Sequence, residues 1–126
     1  MKHVRLIAAI LLAIPFIVFP LNGWFEWFDM TPPEGPVGMD MLVDMKEAGL
    51  MNWIAIGHLV CGVGLLIPRF RFASGLLHLP LSIGMVGFHA TVMPEGMGFA
   101  AVLLVLNLIV IAEPGRLFRL VAPAPS

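Results

Sequence analysis

Four apolar runs, at about residues 4–25, 49–67, 72–93 and 97–113, occupy most of a chain of 126 residues. Each is close to the roughly 20 residues that cross a hydrocarbon core at 1.5 Å rise per residue. A soluble domain of this size fills its core with one or two such runs, and the apolar surface of the others would drive aggregation. The spacing predicts an all-α fold: a single-domain, integral membrane bundle of four transmembrane helices. Composition agrees, with 60% hydrophobic and 12% charged residues, against roughly half apolar and a quarter charged in soluble domains.

The first run follows Lys2 and Arg5, as a signal peptide would, but it ends in the bulky Trp24-Phe25-Glu26-Trp27-Phe28 with no small-residue cleavage site. It therefore reads as a retained helix. Pro15 and Pro20 inside it predict a kink of the kind membrane helices tolerate.

Charge sorting sets the expected orientation. If the four runs form three hairpins, Lys2, Arg5, Arg69, Arg71, Arg116 and Arg119 share one side with Glu113, a net +5. The other side holds Glu26, Asp29, Glu34, Asp40, Asp44, Glu47 and Glu95 against Lys46, a net −6. Six of the seven basic residues on one side is the positive-inside pattern, so the N and C termini are expected to be cytoplasmic. Trp24, Trp27 and Trp53 fall at the opposite ends of the first two helices, where indoles favour the headgroup layer. A periplasmic loop is expected over about 29–48, carrying either a short surface helix over Gly38 to Glu47 or an irregular cap over the bundle, and a flexible tail over 120–126.

Polar residues at membrane depth are costly and mark candidate sites. They are Asn22, Asn52, His58, His78, Ser82, His89 and Asn107, with Cys61 as a weaker polar group. No carboxylate lies deep in any run, which argues against proton-coupled export of cations. Counting 1.5 Å per residue from the inner helix ends puts His58 about 13 Å deep, His78 and Asn107 about 9 Å and Ser82 about 15 Å. The four are within reach of one another. Gly57, Cys61 and Gly64 form a small-residue stripe beside His58 that favours close helix approach. The polar seam has two readings. In one, His58, His78, Ser82 and Asn107 bind an apolar ligand such as a quinone, or, less favourably, a metal or haem. In the other, neutral imidazoles hydrogen-bond across helices and hold the bundle together. Near the outer surface, His89 is within reach of Asn22, Asn52 or Glu26. A single cysteine excludes an intramolecular disulfide, and a thiolate at mid-membrane is disfavoured. The sequence carries no catalytic constellation, no phosphate loop and no basic nucleic-acid surface.

The order of motifs resembles the DoxX-like family of bacterial four-helix membrane proteins. The likeness runs through Leu21-Asn22-Gly23-Trp24-Phe25-Glu26-Trp27-Phe28, the Met/Pro loop, Trp53 to Phe70 around Gly57-His58, Phe88-His89 and Pro114-Gly115-Arg116-Leu117-Phe118. It implies a bundle of the bacterial inner membrane linked to thiosulfate:quinone oxidoreductase or other membrane redox assemblies. His89 matches the family's third-helix histidine. The chain departs from the pattern at His58, where a Glu is common, and at Trp24, where a Lys is common. Two functions are therefore expected: an accessory subunit packed against a larger respiratory or photosynthetic complex, or a quinone-binding oxidoreductase subunit. The expected partners are the lipid bilayer and other integral membrane subunits.

Overall fold

A computed structural model of the chain describes residues 1–30 and 36–123, and every regular element among them is helical. The order is α1 (Lys2–Phe25), α2 (Pro36–Glu47), α3 (Leu50–Leu66), α4 (Arg71–Thr91), a 3₁₀ turn (Pro94–Gly96), α5 (Met97–Ile111) and α6 (Pro114–Val121). Helices α1, α3, α4 and α5 form a ring in which α1 touches α3 and α5, and α4 touches α3 and α5. Three segments are long and apolar enough to cross a membrane: α1, α4, and the 3₁₀ turn continued by α5. A fourth arises only if the 17-residue α3 is counted with the end of α2, from which it bends by 83°. The chain thus has the helices of a multi-pass membrane protein.

The core is built on one face of α1. Ala8, Ala9, Leu12, Ala13 and Phe16 recur at helical spacing and are buried against Leu65, Leu103 and Val110. The outward faces carry Leu11, Ile14, Val60, Leu77, Val102 and Val105, all exposed. Apolar side chains outside and polar ones inside is the arrangement an apolar solvent favours.

Close approach depends on glycine. A Cβ at Gly62 would lie 3.2 Å from the Phe16 backbone carbon and 3.0 Å from Ile17 Cγ1, so α3 meets α1 there with no room for a side chain. Gly75 lets α4 onto α5, where a Cβ would come 2.9 Å from both Val110 Cγ1 and Ile111 Cγ2. Gly64, from the expected stripe, packs on Ser74, while Gly57 has only an ordinary 3.5 Å contact to Leu81 Cδ1. Cys61 is buried between them in sequence. The α2–α3 corner turns on Gly49, whose φ of 80° is left-handed and whose N–H donates to the Lys46 carbonyl.

One end of the bundle gathers the basic residues. Lys2, His3, Arg5, Arg71 and Arg116 line a common cavity there with Glu113. Arg5 Nη1 donates to the Ala112 carbonyl at 3.2 Å and lies 3.6 Å from Glu113, which also pairs with Arg116 Nε at 3.0 Å. The start of α1 and the α5–α6 junction are thereby tied together.

The tail departs from expectation. Leu120 and Val121 are helical, within α6, while residues 124–126 lie outside the described residues. Pro114 occupies the first helical position, where its missing N–H costs nothing. Arg116 and Arg119 share one face of α6, and Leu117, Leu120 and Val121 another, the pattern of a helix lying in an interface.

Gly62→Leu is expected to lower stability by about 1–3 kcal/mol through overpacking, against little change for Gly57→Ala. Equilibrium unfolding in mixed detergent–denaturant micelles measures both, and equal effects would refute the assigned contact.

Candidate functional site

The seam residues of α3, α4 and α5 converge. His58 Nδ1 lies 2.6 Å from His78 Nε2, and His78 Nδ1 lies 2.9 Å from Ser82 Oγ and 3.3 Å from Asn107 Oδ1. Ser82 Oγ donates to Asn107 Oδ1 at 2.7 Å, and Asn107 Nδ2 donates to the Gly75 carbonyl at 2.7 Å. His78, Ser82 and Asn107 are buried, and His58 is half-buried. The four-residue step from His78 to Ser82 stacks them on one face of α4. Asn107 enters from α5 at the level where Gly75 admits that helix.

Phe16 completes the site from α1. Its ring stacks on both imidazoles, with centroids 3.8 Å from His78 at 29° and 5.1 Å from His58 at 28°. A run of alanines and Leu12 at helical spacing marks the inward face of α1, and Phe16 extends it by one turn. That periodicity was the available signal. The lone aromatic among many apolar residues gave no hint that it covers histidines.

The other polar residues stay at the bundle's opposite end and pair locally. Asn22 clasps the chain beyond α1: its Nδ2 donates to the Phe28 carbonyl and its Oδ1 accepts from the Phe28 N–H, both at 2.9 Å. The turn is helped by Glu26, at φ 51°, whose N–H donates to the Asn22 carbonyl. Asn52 Oδ1 accepts from Trp24 Nε1 at 3.1 Å. His89 joins neither asparagine; its Nδ1 donates to the Met93 carbonyl at 3.0 Å, and its ring fills the space a side chain at Gly96 would take. A chain carbonyl four residues away outcompetes partners on another helix because it needs no further ordering.

His58 also faces outward, into a groove of about 420 Å³ between α2, α3 and α4. Met41 and Met45 of α2, Met51 of α3, and Leu81, Gly84 and Met85 of α4 line it. Among the described residues, His58 supplies the only polar side chain on its wall. His78, Ser82 and Asn107 lie behind His58, away from the groove. The groove is thus an apolar slot with one polar point, the form typical of sites for lipophilic ligands.

Among the described residues no three His, Cys, Asp or Glu side chains come together. The two imidazoles are joined by a single hydrogen bond, with His58 Nδ1 2.6 Å from His78 Nε2, rather than set apart around a space between them.

Compared with known proteins, the chain matches no family model, no curated protein and no solved structure. The likeness to DoxX-like bundles therefore rests on its sequence motifs alone.

Asn107→Leu removes the donor to Gly75 and the acceptor for Ser82, and is expected to destabilise by about 1–3 kcal/mol. In a double-mutant cycle with Ser82→Ala, a coupling of about 0.6–2 kcal/mol is expected. Strict additivity in detergent unfolding would mean that the network is not energetically linked.

Proposed function

We propose that this chain is a multi-pass protein of the bacterial inner membrane, a four-span bundle with both termini cytoplasmic, that binds a lipid-soluble ligand of the quinone class. The topology draws support from the basic residues gathered at one end of the helices. At 1.5 Å per residue the 17 residues of α3 reach about 26 Å, a few ångströms less than an average hydrocarbon core. Mismatch of that size is met by local thinning of the bilayer or by the corner residues.

The observation that carries the ligand reading is the groove: apolar on every described side except at His58, whose ring is held in place from behind by His78. Phe16, stacked on both rings, fixes their planes. An anchored polar atom in an apolar slot orients a ring-headed lipophile while its tail stays among the lipids. The DoxX-like motifs point to the same ligand class. With His58 and Trp24 in place of the family's common Glu and Lys, no catalytic residue is assigned and the role is binding.

A second reading, an accessory subunit of a larger redox complex, is favoured by how few of the described helical residues lie beyond the four-helix ring, those of α2 and α6. Purification from native membranes in mild detergent separates the two. A bound, near-stoichiometric ring-headed lipid, reduced at least tenfold by His58→Leu, is expected. Recovery of a stoichiometric partner complex with no such lipid would favour the accessory role instead. Tags at both ends should resist an impermeant reagent in intact cells, and labelling of either would overturn the topology.

A further inference from the structure

The hydrogen-bond chain behind the groove runs in one direction. It starts at the Gly75 carbonyl, which can only accept, so the Asn107 amide must turn its NH₂ toward it. Asn107 Oδ1 then faces Ser82 and His78 as an acceptor and takes the Ser82 hydroxyl proton at 2.7 Å. With its one proton committed, Ser82 Oγ accepts from His78, so His78 carries its proton on Nδ1, within 2.9 Å of Ser82 Oγ. His78 Nε2 is thereby a lone pair, and the 2.6 Å contact requires the proton to sit on His58 Nδ1. One proton per ring satisfies every atom, and His58 Nε2 is left as a lone pair. That atom joins none of the hydrogen bonds among the described residues. Every buried side-chain nitrogen or oxygen among them does have a partner, so His58 Nε2 is not buried, and the groove is the space His58 lines.

We infer that the groove selects a neutral lipophile whose head donates a hydrogen bond, a hydroxyl such as that of a hydroquinone or lipid alcohol, over one that presents only a carbonyl. This rests on the ligand reading above and sharpens it. A hydroxyl gives its proton to His58 Nε2 in a bond that no other described side chain on the wall can make. A quinone carbonyl at the same place sets two lone pairs directly against each other, and the neutral imidazole cannot turn over without breaking its bond to His78. A ligand ether fails for the same reason. No covalent or redox step is involved; the reduced form of a quinone couple is simply the form that fits.

Two measurements on the purified full chain in nanodiscs test this. Nitrogen NMR of histidine-labelled protein should find His58 and His78 both protonated on Nδ1, and a proton on His58 Nε2 would overturn the inference whatever binds. In the second, an alkyl hydroquinone kept reduced, the matching alkyl quinone, the hydroquinone dimethyl ether and an alkanol of equal chain length are titrated. The hydroquinone should bind more tightly than the quinone and the ether by about tenfold or more. Equal binding of hydroquinone and quinone refutes the donor preference while leaving the groove as a binding site. Binding of none of the four refutes both. An alkanol as good as the hydroquinone identifies a lipid alcohol as the natural source, and a much weaker one identifies the hydroquinone; both support the donor rule. His58→Leu should level the series. Because that change also strips His78 of a partner, Gly84→Leu provides the control. A Cβ at residue 84 meets nothing within 4 Å, so a leucine can enter the groove there without a clash at its first atom, and all binding should be lost with the fold and the NMR signature of His58 kept.

Discussion

In a bundle of helices apolar enough to cross a membrane, a buried donor or acceptor must find its partner within the protein. The chain from Gly75 through Asn107, Ser82 and His78 to His58 meets that demand across three helices at once. It also fixes their register. Sliding α5 by one residue would carry Asn107 off Gly75 and Ser82 together, and sliding α3 would part the two imidazoles. Apolar contacts alone set no such register, since the outward-facing and core-facing side chains here are chemically alike.

That network depends on helices coming closer than ordinary side chains permit. Gly75 serves twice: its missing side chain admits α5, and its carbonyl is the acceptor that orients Asn107. Gly62 plays the matching part for α1, bringing the Phe16 backbone against α3 so that the Phe16 ring lies over both histidines. Small residues, polar residues and one aromatic ring are thus parts of a single arrangement. The basic end holds the remaining degree of freedom, with Arg5 reaching Ala112 and Glu113 to close the ring of helices where the chain begins.

The sequence made the apolar helices legible because length and hydropathy are properties of single segments. Depth counting could put His58, His78, Ser82 and Asn107 in one neighbourhood, because rise per residue is nearly constant. It could not identify Phe16, since choosing one face of an almost wholly apolar helix needs the neighbouring helix. Gly57 looked equivalent to Gly64 in the stripe, and Gly62, which makes the tight contact with α1, stood outside it for that reason too. His89 was misjudged in its reach: a local carbonyl, Met93, takes its proton before any distant asparagine can. Helix α6 was hidden by Pro114-Gly115, a pair that signals an ending when read forward and a beginning when Pro is in the first turn.

A hydrogen-bond chain with both ends free carries no information about direction, because every proton in it can shift together. Here one end is a peptide carbonyl, whose role as acceptor cannot change, and that fact propagates bond by bond to His58 Nε2, the one side-chain nitrogen of the series with no partner among the described residues. The chemistry presented to the groove by α3 is therefore decided on α4, at a residue that no ligand could touch. Replacing Ser82 by alanine would leave His78 Nδ1 facing Asn107 Oδ1 at 3.3 Å, still an acceptor, so the sense of the chain survives the loss of a link. Reversing it requires changing what faces Gly75. Specificity for the ligand's head is in this way a property of helix packing as much as of the residue that meets it.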